Sequence, residues 1–186
     1  VVTYTRLIST IPLPGLIDRL TQTSPAVQKA RGLLRANEVI YLNVGVDGTL
    51  GETDHWIYVP EDKWPVYRVG SFSNANPAMA PEHCGSLYIE LSDRDTPVEV
   101  LRPRIEEMLV EMNLIQSPTQ IRFMQTRRIP NAYVIYDFNY HESRETLLSF
   151  LKGLGIQSIG RYGDWNYSSM EDARLDGKRM AEKTAG

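Results

Sequence analysis

A single cysteine, Cys84, is all the thiol chemistry this 186-residue chain holds. It excludes an internal disulfide and a cysteine-rich metal cage, and it fits a reducing cytosol. No run of about eighteen apolar residues occurs, so no transmembrane helix is expected, and no charged-then-apolar leader marks secretion. Charge of one sign is also lacking. The net charge is −3 with both signs interspersed, which leaves no basic field to attract phosphate backbones and makes DNA or RNA an unexpected partner. His55, His83 and His141 are scattered and fall in no HxxxH or HExxH pattern, so no metal centre is expected. Ser71, Ser73 and Ser168 have no GxSxG setting, and serine-nucleophile chemistry is unsupported. Internal repeats, low-complexity tracts and linkers are missing too.

What is there is enough apolar material, 42% of residues, to bury a core. The chain opens without an initiator Met, directly into a β-branched run over 4–11, and we expect a fragment of a longer chain. Ser24-Pro25 has the form of a helix start, Ser as N-cap and Pro in the first turn, leading to Leu34. Glu38 to Val46 predicts a strand ending in an Asp47-Gly48 turn. In His55 to Val59 the two-residue period puts Trp56 and Tyr58 on one face and Ile57 and Val59 on the other. Val66 to Phe72 and Ser86 to Leu91 predict further strands, joined by a long loop over 73–85 in which Cys84 sits beside His83. A helix after Thr96-Pro97 carries Leu101, Ile105, Met108, Leu109 and Met112 at helical spacing, so its methionines are core. Gln120 to Arg128 and Ala132 to Phe138 predict two strands separated by an Ile129-Pro130-Asn131 turn. Glu142 to Leu154 predicts a helix stopped by Gly153 and Gly155, followed by a short strand to Gly160 and a last helix over 170–183. This mixed order argues α+β with a mostly antiparallel sheet.

The closing stretch is the richest in chemistry. Gly160-Arg161-Tyr162-Gly163-Asp164-Trp165-Asn166-Tyr167-Ser168-Ser169-Met170 joins a glycine-rich strand exit, aromatic residues and a helix start. Glycine lets backbone approach a ligand closely, Ser168 or Ser169 can cap the helix, and amides at a helix N-terminus attract an anion. A plain strand-turn-helix with core aromatics accounts for the same residues.

Gly160-Arg161, Gly163, Trp165, Tyr167 and Met170, with Ala173 and Gly177 in the helix behind them, resemble the C-terminal flavin motif of the amine-oxidoreductase superfamily, which includes UDP-galactopyranose mutases and protoporphyrinogen-oxidase-like proteins. The resemblance implies that Gly160, Arg161, Gly163, Trp165 and Met170 contribute to an FAD site. His55 to Asp62 and Pro65 to Asn74 resemble the substrate-domain stretch of the eukaryotic-type mutases, which implies Arg68 as a ligand of a sugar-nucleotide diphosphate; a surface salt bridge is the other use of that arginine. Arg127 to Tyr133 resembles the segment that presents a tyrosine to the same diphosphate, so Tyr133 and Tyr167 are candidate substrate contacts. In that superfamily the flavin carries the hard chemistry and the protein supplies orientation and electrostatics, so the resemblance names no general acid or base.

The resemblance further implies a division into residues 1–15, a strand of the FAD domain, 16–155, a substrate domain, and 156–186, the C-terminal FAD-binding strand and helix. Complete members begin with a strand-GxGxxG-helix fingerprint for the FAD pyrophosphate, and none occurs here; Gly153 and Gly155 follow a helix. We therefore expect a missing N-terminal FAD-binding segment and at best half an FAD site, inactive by itself. The expected parent is a cytoplasmic flavoenzyme acting on a small molecule: a mutase, which is an isomerase, acting on a nucleotide sugar, or an oxidoreductase of protoporphyrinogen-oxidase or amine-oxidase type. A non-catalytic binding module is the alternative from another class.

Overall fold

Ser24 sits in extended backbone and its side chain accepts a hydrogen bond from the Val27 amide, so the first long helix starts where Ser-Pro predicts. In the computed structural model, which describes residues 3–184, the elements follow in the order β1 (Leu7–Ser9), α1 (Leu13–Ile17), α2 (Pro25–Leu33), β2 (Ala36–Asp47), β3 (Trp56–Tyr58), β4 (Val66–Ser71), α3 (Phe72–Ala75), β5 (Cys84–Leu91), α4 (Val98–Glu111), β6 (Ile121–Val134), α5 (Tyr140–Gly153), β7 (Ile156–Ser158), α6 (Gly160–Gly163) and α7 (Met170–Thr184). The fold is α+β, as the sequence predicts.

The described residues form two compact units, one of residues 3–38 and 130–184 and one of residues 39–129. This division lies inside the expected boundaries at 15 and 155. In the first unit β1 and β7 pair in parallel, Leu7 with Ile156 through Ser9 with Ser158, so strands from the two ends of the sequence share one small sheet. Leu13, Ile17, Leu147, Leu151 and Trp165 form the centre of its core. Gly155, at φ +73, ends α5 in the left-handed conformation that glycine adopts without strain. Gly153 is instead the last helical residue.

The second unit is built on the five-stranded sheet of order β3-β4-β5-β2-β6, in which the β3–β4, β4–β5 and β5–β2 pairings are antiparallel. One sheet face packs Leu42, Val44, Val69, Leu87 and Ile89 against Leu101, Ile105, Met108 and Leu109 of α4. The 3.6-residue period of α4 and the two-residue period of the strands thus meet in one core. Trp56 and Tyr58 are exposed while Val59 is buried, the two faces that alternation predicts.

Two local expectations change. Ile129-Pro130-Asn131 makes no turn: β6 runs unbroken from Ile121 through Val134. It lies at the edge of the sheet, where a proline's missing N–H is tolerated, so Pro130 does not interrupt it. The 73–85 loop is partly ordered by α3 and a single turn over Pro77–Met79, each capped by a side chain: Ser71 Oγ accepts from the Asn74 amide at 3.0 Å and Asn76 Oδ1 from the Ala78 amide at 3.1 Å. Cys84 opens β5 as a half-buried residue.

Candidate functional site

The glycines of the terminal motif have different jobs. Gly160 stands at φ +75 just past β7, and a Cβ built there would have no neighbour within 4 Å. Conformation demands glycine at this position, and the space beside it is open. At Gly163 space is the reason: a Cβ would lie 2.8 Å from the Ser9 carbonyl oxygen and 3.1 Å from Ser158 Oγ. Ser158 Oγ donates to the Gly163 carbonyl at 2.7 Å, so α6 is laid directly on the two-stranded sheet.

Trp165 holds a left-handed backbone, φ +51, without being glycine. Side chains from α5 hold the turn in place. Tyr140 Oη donates to the Trp165 carbonyl at 2.7 Å, Arg144 Nε donates to the Asp164 carbonyl at 2.6 Å, and the Arg144 guanidinium pairs with the Asp164 carboxylate at 2.5 Å. Burial pushes the Tyr140 phenol up to about 12. The Trp165 indole is 1% exposed, in the centre of the core. The Trp165 ring packs with Leu13, Ile17, Leu147 and Leu151.

Arg161 stands where Tyr133 and Tyr167 come together. Their rings stack with centroids 5.8 Å apart, and the guanidinium carbon lies 5.2 Å from the Tyr133 centroid and 4.8 Å from that of Tyr167. Arg161 Nη1 donates to the Ser168 carbonyl at 3.0 Å and Nη2 to the Ala132 carbonyl at 2.8 Å. All four partners are neutral, so the cation braces β6 against the entry to α7 and keeps its charge. Tyr136 and Asn166, which motif reading overlooks, extend the brace: the Tyr167 amide donates to Tyr136 Oη at 2.8 Å, and that hydroxyl donates to Asn166 Oδ1 at 2.7 Å.

Ser169, one of the two serines considered, supplies the cap of α7. Its Oγ accepts from the Asp172 amide at 3.1 Å, and the Asp172 carboxylate accepts from the Ser169 amide and hydroxyl, each at 2.8 Å. The backbone and then the side-chain bond from Ser169 hold the Asp172 carboxyl below its usual range. Beside this start lies a cleft of about 370 Å³ lined by Gly160, Asn166, Tyr167, Ser168 and Asp172, among others. Two further carboxylates at the cleft are neutralised within the unit, Asp164 by Arg144 and Asp176 by Arg179. Ser168 Oγ is buried with no hydrogen-bond partner, a group that a ligand's polar atom would satisfy. Met170, the first residue of α7, is 93% exposed. An unpartnered hydroxyl and an open glycine fit a polar cofactor in this cleft.

Arg68 belongs to the second unit and has a different environment. Its Nε donates to Glu90 Oε1 at 2.9 Å and its Nη2 to the same oxygen, while Tyr67 Oη donates to Glu90 Oε2. The guanidinium carbon sits 4.3 Å from the Trp56 ring centroid. The pairing partner, Glu90, could be found only from the strand register that sets it opposite Arg68.

No protein-family model matches the chain. Among solved structures, a reduced UDP-galactopyranose mutase aligns with a TM-score of 0.75 at 27% identity, over 89% of this chain and 38% of that one. The fold is that of the amine-oxidoreductase superfamily. A protoporphyrinogen oxidase-like protein from Exiguobacterium sp. 255-15 aligns at TM-score 0.68 and 14% identity, over 96% of this chain and 40% of that one. A putrescine oxidase variant redesigned in cofactor binding aligns at 0.64 and 14%, over 96% and 42%. The chain thus spans about two fifths of the length of these solved structures. Among the described residues, no helix is long and apolar enough to cross a membrane.

Proposed function

We propose that this chain is the C-terminal part of an FAD-dependent enzyme and that its first unit completes the flavin site. The observation that carries the reading is Arg161, set against the stacked pair Tyr133 and Tyr167 and bonded to the Ala132 and Ser168 carbonyls. In this reading Gly160, Ser168 and the backbone opening α7 hold the cofactor, and Met170 lies against it. Arg161 orients them, and Gly163 fixes the turn on the sheet. Bound FAD would supply the redox or covalent chemistry, and this chain's residues would bind it, orient it and exclude water.

A missing flavin-binding segment is supported by the small sheet itself. A parallel pair of only two strands in which Ile8 is 45% exposed is incomplete by ordinary measures, because parallel sheets are covered on both faces. The remaining strands come from residues outside this chain.

For the reaction, action on a nucleotide sugar, as in a UDP-galactopyranose mutase, is supported by the 27% identity and by a charge-retaining Arg161 beside two phenols. In this reading Tyr133 and Tyr167 contact the diphosphate, and the second unit, which carries Arg68, is a substrate-binding unit. One observation favours a second reading, an oxidoreductase of protoporphyrinogen-oxidase or amine-oxidase type: Glu90 already neutralises Arg68. The test is the visible spectrum of the purified full-length parent, followed by titration with UDP. A flavin band that shifts with UDP supports the mutase, one indifferent to UDP moves the assignment to the oxidoreductase, and absence of flavin overturns the proposal in favour of a binding module.

A further inference from the structure

The second unit carries a set of side chains that the flavin site leaves unused. Two cross-strand rows lie side by side on one face of its sheet, Tyr58, Arg68 and Glu90 in one and Trp56, Gly70 and Tyr88 in the next. Gly70 is required by space, since a Cβ there would stand 2.0 Å from Tyr88 Cζ; the Tyr88 ring therefore lies over the glycine backbone. That ring meets Trp56 edge-on at 6.1 Å. With Trp56 44% and Tyr58 65% exposed, the rows present aromatic surface to solvent, suited to stacking against a ring.

The charge of this surface is set from within. The register shifts between Val66 and Arg68, and such an irregularity re-aims neighbouring side chains; here Tyr67 and Arg68, adjacent in sequence, both reach Glu90. The Arg68 and Glu90 side chains are 12% and 9% exposed, so solvent screens their pairing little. The pair is net neutral. A diphosphate brought to Arg68 would also meet the Glu90 carboxylate, whereas an uncharged ring would meet stacking surface without that repulsion.

We infer that Glu90 is a specificity-determining residue: by occupying Arg68 it makes this aromatic face a subsite for an uncharged ring and turns a diphosphate away. The inference rests on the proposed function only in taking the second unit as substrate-binding. Uridine and UDP carry the same ring and differ in the diphosphate, so their affinities for the 186-residue chain, followed at the Trp56 indole N–H by NMR without flavin, test it. The wild type should bind uridine, with UDP no tighter than about twofold. In Glu90→Gln, UDP should tighten about tenfold relative to uridine. Wild-type UDP affinity tenfold or more above uridine, absence of uridine binding at Trp56, or an unchanged ratio in Glu90→Gln would each overturn the inference. The wild-type comparison needs no variant and stands even if Glu90→Gln fails to fold. With no flavin present, the failure of the flavin proposal and the failure of this one remain separate results.

Discussion

Arg161 and Arg68 are both arginines near two aromatic rings, one in each unit, yet they end with opposite electrostatic character. Arg161 satisfies its donors on two backbone carbonyls and remains a cation beside the stacked Tyr133 and Tyr167. Arg68 satisfies its donors on a buried carboxylate and is cancelled. The lesson is that an arginine beside aromatics in a sequence predicts stacking, while its partner decides whether charge remains for a ligand. An anion is therefore expected to favour the Arg161 side.

The sharpest way to break the comparison is to remove the counter-charge. Glu90→Ala leaves Arg68 buried beside Trp56 without its carboxylate and should destabilise the second unit by about 3 kcal/mol, read as a fall in urea midpoint. If the midpoint does not move, the pair is not the buried ion pair described. Arg161→Ala removes two hydrogen bonds and the stacking but strands no charge, so a smaller loss of about 2 kcal/mol is expected. The same variant should reduce flavin retention in the parent, and unchanged flavin content would count against that role.

Tyr140→Phe removes the bond that holds the Trp165 carbonyl and should cost about 1.5 kcal/mol by thermal melting. It also carries a pH signature. Burial raises the Tyr140 phenol from its ordinary 10.0 to about 12 in the folded chain, so the unfolded chain loses this proton first. The Tyr140 contribution to stability is fully present below pH 10 and falls as pH rises toward 12. In Tyr140→Phe that alkaline decline should flatten; an identical decline would assign it to other groups. The smallest effect belongs to Gly160→Ala. Its methyl would meet no neighbour, so only the left-handed backbone opposes it, at about 1 kcal/mol.

Much of this fold was legible in the sequence because its local rules agree. The Ser24 cap, the Met108 face of α4 and the alternation around Trp56 each follow from spacing alone. Pro130 misled because a proline signals a turn unless the strand lies at a sheet edge, which is a tertiary fact. The terminal motif drew attention to Arg161 and Tyr167, but it could not separate Trp165, whose ring is core, from Tyr167, which is exposed. Glu90, Tyr136 and Tyr140 were out of reach for a related reason: their partners lie 22, 31 and 25 residues away, and only the folded register brings them together.

The most direct test of the Arg161 assignment is amide NMR of the full-length parent, freed of its cofactor and titrated with FAD. The account predicts shifts concentrated at Gly160, Ser168 and Met170, with the Arg68 face unmoved. No shift at high FAD concentration, or shifts centred on Trp56 and Arg68, would contradict it.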